Sequence, residues 1–294
     1  MLDYHLHLWP HSERDVEATT EQVAAYCERA TAAGVGEIAL TEHLFRFTQA
    51  KDLLWGFWED LPDKALHPGM AAYFEHHARV DLDSYVEVVE AVKREGLPVA
   101  CGLEVDYYEG HMDEVASLLA GYPFDVLLGS VHWLGAWRFD VLDDGPTMAE
   151  WEARDVDRVW DDYTRAMEEL AATGTCDVLA HPDLVKVAGR VPAVPDEWYD
   201  RIAEAALASG MAAELSSAGW RKPVGEEYPA PPLLRRFVDL GVPLTTASDA
   251  HSLPDVADQA DALRDRLMEV GVTELRAYRQ RSPRSVEVGA PVGG

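Results

Sequence analysis

Basic side chains are scarce in this chain. Lysine and arginine total 25 against 53 aspartates and glutamates, a formal charge of −28 at pH 7. A surface of that sign repels polyphosphate, so neither nucleic acid nor an anionic membrane face is expected as a partner. Cysteine is also sparse. Cys27, Cys101 and Cys176 are far apart and contain no Cys-x-x-Cys pair, which reads as buried thiols in a reducing compartment rather than a disulfide framework. No apolar run approaches the roughly 18 residues of a membrane span. No basic stretch followed by an apolar segment opens the chain, and no Gly-x-Ser-x-Gly elbow is present. The expectation is a cytoplasmic protein that is not a serine hydrolase.

What is present is a rhythm. Hydrophobic residues make up 48% of the 294, enough for one large core. Short apolar runs near 3–8, 36–40, 99–105, 125–131, 177–180, 211–215 and 243–247 read as strands. Stretches near 16–33, 81–95, 112–120, 155–172, 196–209, 231–240 and 254–270 have helical spacing. Strands alternating with helices predict a parallel sheet, and seven such units without a linker suggest a single closed or nearly closed α/β barrel over residues 1–281. Two irregular, aromatic-rich insertions, 44–80 and 133–153, interrupt it. Their aromatics either form a binding wall above the barrel or pack against its outer helices. The Pro, Gly and Val content of 282–294 reads as a loose tail.

The first strand carries Asp3-Tyr4-His5-Leu6-His7. Side chains alternate along a strand, so His5 and His7 share one face, and His11 follows after Trp9-Pro10. Taken singly, each histidine reads as a surface or satisfied core residue. Taken together they do not, because polar ligand types close one predicted strand after another: His43, Glu104, His132, His181, then Asp249 and His251. Seven of the eleven histidines fall at that one end, the end at which such barrels keep their chemistry. Imidazoles with a minority of carboxylates suit Zn²⁺, Fe²⁺ or Mn²⁺. Nine candidate ligands exceed the capacity of one ion, so two or three divalent ions are expected, with Glu104 placed to bridge.

These stretches resemble the polymerase-and-histidinol-phosphatase (PHP) superfamily. His5-Leu6-His7, Pro10-His11-Ser12, Thr41-Glu42-His43, Gly129-Ser130-Val131-His132, Ala180-His181-Pro182-Asp183-Leu184-Val185-Lys186 and Ser248-Asp249-Ala250-His251 run in the family's order. Gly102-Leu103-Glu104-Val105-Asp106-Tyr107 and Arg221-Lys222-Pro223-Val224-Gly225-Glu226 are similar to its histidinol-phosphatase branch. The segment between His7 and His11 is shorter than the usual pattern. The resemblance implies a distorted (β/α)7 TIM-like barrel with a trinuclear metal site at the C-terminal ends of the strands. By position, His5, His7, Glu104 and Asp249 would hold one ion. Glu104, His132 and His181 would hold a second, and His11, His43 and His251 a third.

The implied activity is hydrolysis of a phosphate monoester, with L-histidinol phosphate as substrate and a metal-bridging hydroxide as nucleophile. Three divalent ions less the charges of Glu104 and Asp249 leave about +4 in the mouth, which outweighs the acidic exterior locally. Arg221 and Lys186 are expected to hold phosphate oxygens. Asp183 reads either as general acid or as support for the ligands. Asp106 and Glu42 are candidates for meeting a substrate amine, Asp106 alternatively supporting the strand of Glu104. Competing readings are a nucleotide phosphatase or exonuclease of the same superfamily, an amidohydrolase-like metal hydrolase, and a non-enzymatic metal barrel.

Overall fold

Seven parallel strands lie side by side in sequence order: β1 (Leu2–Leu6), β2 (Glu37–His43), β3 (Val99–Asp106), β4 (Val126–Ser130), β5 (Val178–Leu179), β6 (Ala212–Ser216) and β7 (Leu244–Ala247). This computed structural model describes residues 1–13 and 16–289. Helices α1 (Thr20–Ala32), α2 (Thr48–Leu54), α3 (His67–His77), α4 (Leu82–Arg94) and α5 (Met112–Leu119) occupy the first half. The second half holds α6 (Gly145–Ala153), α7 (Val156–Ala172), α8 (Asp196–Ser209), α9 (Pro231–Leu240) and α10 (Ala260–Val270). Every residue of β1 and β3 to β7 is buried, as expected of strands covered on both faces. Among the described residues no helix is long and apolar enough to cross a membrane.

The barrel closes through side chains more than through a ladder. Between β1 and the segment just after β7 there is an isolated parallel bridge, Leu6 to Ala250, and the His7 amide donates to the Ala250 carbonyl at 2.8 Å. Asp3 completes the seam. Its buried carboxylate accepts the Ser248 amide and hydroxyl, each at 2.7 Å, and the Ala257 amide at 2.8 Å. The seam therefore ties the first strand to the segment that carries Asp249.

Element ends differ from the sequence expectation where a local device intervenes. The helix expected from 16 starts at Thr20, because the Thr19 hydroxyl accepts the Gln22 amide and caps it. The helix expected from 254 starts at Ala260, since Ala257 and Gln259 adopt φ of 60° and 57° and break any earlier turn. Strand β2 runs on through Thr41-Glu42-His43, which pair with β3 in register, His43 opposite Glu104.

The two insertions are helical and bury most of their aromatics in one another. Phe57 lies 5.7 Å from both Phe74 and Trp133, and Phe45 lies 6.1 Å from Trp133, by ring centroids. Phe45, Phe57, Phe74, Trp133, Trp137 and Trp151 are all buried. Packing thus accounts for most of these rings; Tyr73 stays half-buried and Trp55 exposed.

The stretch expected to be a loose tail is not loose up to Glu287. Strands β8 (Glu274–Arg279) and β9 (Ser282–Glu287) form an antiparallel hairpin, with Gln280 and Arg281 at its turn in left-handed conformations, φ 48° and 62°. The turn is tethered under the barrel. The Gln280 and Arg281 amides donate to Asp125 at 3.0 and 2.9 Å, and Arg281 reaches Asp177 at 2.6 Å and the Thr175 carbonyl at 2.7 Å. Arg284 and the Tyr4 hydroxyl both bond Glu37. Glu37 begins β2, and Asp125, Thr175 and Asp177 precede β4 and β5, so the hairpin covers the N-terminal end of the barrel, opposite the predicted ligands. Residues 290–294 of the expected tail lie outside the described residues.

Candidate metal centre

Strand alternation brings the ligand types to one mouth, and Glu104 stands at its centre. Glu104 Oε2 is 2.6 Å from His43 Nδ1, 3.2 Å from His5 Nε2 and 3.6 Å from His7 Nε2. Its Oε1 is 2.9 Å from His181 Nε2 and 3.4 Å from His132 Nε2. Asp249 Oδ1 lies 3.4 Å from His7 Nε2, 3.8 Å from His5 Nε2 and 3.6 Å from His251 Nδ1. Several of these separations exceed an ordinary hydrogen bond. They match donors sharing one ion, which at about 2.1 Å from a tetrahedral centre sit about 3.4 Å apart.

Among the described residues, four sets have ligand atoms within 4.8 Å of one another: His5, His7 and Asp249; His5, Glu104 and His181; His43, Glu104 and His132; and His7, His43 and His251. Eight of the nine expected ligands are in these sets. His11 is not, although its exposed ring approaches those of His43 and His251, with centroids 4.9 and 4.7 Å away. His43 therefore stands between the Glu104 cluster and the outer histidines.

The chemistry of the donor set fits divalent cations. His5 Nε2, His7 Nε2, His43 Nδ1 and Glu104 Oε2 are buried without a hydrogen-bond partner. Polar atoms left so cost about 1–3 kcal/mol each, and cations among them would satisfy all four together. Charge balance agrees. Burial pushes the pKa of Glu104 up, but His5, His132 and His43 outweigh it and hold the carboxyl well below its usual range. Burial lowers His132, yet Glu104 and Asp106 push it up to about 10. Facing carboxylates thus favour protons on His5 and His132, where cations would take their place, while burial holds His43 well below its ordinary range.

Three carboxylates stand behind three of the ligands. Glu214 Oε2 holds His5 Nδ1 at 2.8 Å, and Asp106 Oδ1 holds His132 Nδ1 at 2.6 Å. Glu42 Oε2 lies 3.6 Å from His7 Nδ1, while its Oε1 accepts the Leu8 amide. Such partners fix the tautomer, so that Nε2 faces the ion with its lone pair. This corrects two expectations. Asp106 and Glu42 are fully buried and engaged by His132 and by Leu8, so neither is placed to meet a substrate amine. Glu214 was absent from the expected site altogether. Its signal in the sequence is a lone carboxylate inside the apolar run Ala212-Ala213-Glu214-Leu215, where a buried charge needs a partner.

The residues expected at the phosphate divide. Arg221 lies on the rim of the same mouth. Its guanidinium donates to the Ser248 and Asp249 carbonyls at 2.6 and 3.2 Å and to Asp258 at 2.8 Å. Five N–H donors leave it capacity for an incoming oxyanion. Gly219 shapes this rim, because a Cβ there would lie 1.9 Å from the Glu226 carbonyl oxygen. Lys186, by contrast, is buried, and its ammonium is taken by Glu226 and the Glu227 carbonyl at 2.7 Å and by Asp183 at 3.0 Å. All three of its protons are used, so it is not free to hold phosphate in this arrangement. Asp183 Oδ2 also accepts the Ala230 amide at 2.7 Å, whereas Oδ1 is buried without a hydrogen-bond partner.

Two ligands sit in strained backbone. His181 and Asp249 have φ of 27° and 51°, a region costing L-residues about 1–3 kcal/mol and found where function over-determines conformation. Both follow a strand end, where the chain must turn sharply to keep the side chain over the mouth.

A family model described as PHP domain matches residues 4–218. A probable histidinol-phosphatase of Deinococcus radiodurans is 35% identical over 225 residues, 74% of this chain and 85% of that protein. The fold is similar to a crystal structure of histidinol phosphate phosphatase from Lactococcus lactis, complexed with zinc, L-histidinol and phosphate. That likeness has a TM-score of 0.67 and 19% identity, over 96% of this chain and 98% of the other. A putative histidinol phosphatase from Listeria monocytogenes gives a TM-score of 0.70 at 17% identity, over 89% and 99% of the two chains. With its barrel, its ligand set and these likenesses, the chain belongs to the PHP domain family.

Proposed function

We propose that this chain is a metal-dependent phosphomonoesterase whose substrate is L-histidinol phosphate. The observation that carries the reading is the carboxylate-centred histidine cluster at the barrel mouth, with Arg221 on its rim. The named relative, at 35% identity, supports the choice of substrate.

His5, His7, Glu104 and Asp249 would hold one ion, Glu104 with His132 and His181 a second, and His43 and His251 with His11 a third. Zn²⁺, Fe²⁺ or Mn²⁺ in these positions would supply Lewis acidity and a water acidic enough to act as nucleophile near neutral pH. The chain's own residues do the rest. Glu214, Glu42 and Asp106 keep the imidazoles turned toward the ions. Arg221 binds phosphate oxygens and favours the charge that gathers on them as the ester bond breaks. Asp183 serves as proton donor to the leaving alcohol: burial raises its pKa, and Oδ1 is uncommitted. Lys186 holds Asp183 in place from the other side. We place the protein in the cytoplasm, consistent with three buried cysteines that form no disulfide, and expect no nucleic acid partner at a charge of −28.

The test is phosphate release from L-histidinol phosphate beside p-nitrophenyl phosphate, nucleotide phosphates and sugar phosphates. A preference of at least tenfold in kcat/KM, about 1.4 kcal/mol, is expected for L-histidinol phosphate. Faster cleavage of nucleotides would replace the substrate while keeping the phosphatase.

A further inference from the structure

Beside the outer histidines the mouth opens into a cavity of about 360 Å³, lined among others by His11, Tyr73, Asp140, Leu142 and Lys222. His11 joins it to the metal centre, its ring lying 4.7 Å from that of His251. The carboxylates of Asp140 and Asp143 and the ammonium of Lys222 line it. Among the described residues, neither Asp140 nor Lys222 has a side-chain hydrogen bond or ion pair.

Asp140 is the more telling of the two. It is half-buried, and a partly desolvated carboxylate without a cation is costly unless a ligand supplies one. Its neighbour Asp144 is accounted for, capping α6 through Thr147 and pairing with Arg138, and Asp143 is exposed. The Asp140 charge acts on the Tyr73 and Tyr228 hydroxyls and on Asp106 and His132, so it bears on the mouth. The carboxylates nearer the ligands in sequence, Glu42 and Asp106, are fully buried behind them, with one oxygen of each bonded to Leu8 or His132.

We propose that Asp140 receives the ammonium group of the substrate and selects phosphate monoesters that carry an amine. The inference rests on the phosphatase reading above and deepens it. Tyr73, whose half-buried ring lines the same cavity, offers a flat wall to an aromatic ring attached to that amine. Lys222 lines the same cavity, and its charge acts on His251.

Two measurements test this, both on the full chain as purified. The first is the ratio of kcat/KM for O-phosphoethanolamine to that for 2-hydroxyethyl phosphate, esters that differ in the amine. The ratio should exceed ten in the wild type, fall at least tenfold in Asp140→Asn and recover in part in Asp140→Glu. A wild-type ratio near one, or equal losses on both esters in Asp140→Asn, overturns the proposal. The second is calorimetric binding of L-histidinol, which requires no turnover. Its Kd should rise at least tenfold in Asp140→Asn, with metal content and thermal unfolding as in the wild type. An unchanged Kd, or no binding to the wild type, overturns the proposal. Failure of all ester hydrolysis would remove the phosphatase reading and leave the binding measurement to decide.

Discussion

Glu214 Oε2 holds His5 Nδ1 at 2.8 Å across 209 residues of chain, and the other oxygen of Glu214 accepts the His181 amide at 3.3 Å. One buried carboxylate thus sets the tautomer of one ligand and the backbone position of another, from a strand that contributes no ligand itself.

Glu214→Gln should therefore weaken metal binding without unfolding the barrel. An outer carboxylate behind a ligating histidine is commonly worth about 10–100-fold in metal affinity. Equilibrium dialysis against a competing chelator measures it; affinity equal to the wild type would remove Glu214 from the centre.

Arg221→Ala should lower kcat/KM by about 2–4 kcal/mol, the scale of losing a charge-assisted donor to developing charge. Metal content is expected to stay constant, because the guanidinium touches the ligand Asp249 only at its backbone carbonyl, its other partners being the Ser248 carbonyl and Asp258. Loss of metal in this variant would show that Arg221 supports the ligand loop instead.

Metal binding should release protons. His132 is pushed up to about 10 and His5 and His7 are raised by the carboxylates facing them, against the opposing effect of burial. At neutral pH these imidazoles hold protons that a cation must displace, so affinity rises with pH and falls as pH is lowered. Zinc titrations in buffers of different ionisation enthalpy should report more than one proton released per protein. Zero release would mean that the ligands are already neutral.

The hairpin under the barrel should be a stability element that leaves turnover unaffected. Arg281→Ala removes bonds to Asp177 and the Thr175 carbonyl. About 1–2 kcal/mol of unfolding free energy is expected to go, the lower part of the range for bonds to charged groups because Arg281 is partly exposed. Urea unfolding measures this, and kcat for any hydrolysed ester should match the wild type, since the site is at the opposite end.

The sequence by itself determined the barrel and the ligand types. Alternation in β1 puts His5 and His7 on one face, and ligand types close the expected strands in turn, whereas the register that sets His43 opposite Glu104 came from the folded sheet. The first two are local properties of period and spacing, so they are legible before folding. Only the tertiary structure decided what stands behind each ligand. Asp106 and Glu42 sit beside ligands in sequence and suggested contact with substrate, yet packing turns them onto His132 and Leu8. Lys186 reads as a mouth residue from its motif and is buried against Asp183, Glu226 and Glu227 once the loop around Gly219 folds over. Glu287 and its hairpin, with no Asn-Gly turn signal, are ordered because Asp125 and Asp177 lie beneath them. A side chain's partner depends on which segments the closed barrel brings together, and no periodicity in the chain encodes a contact such as that of His5 with Glu214.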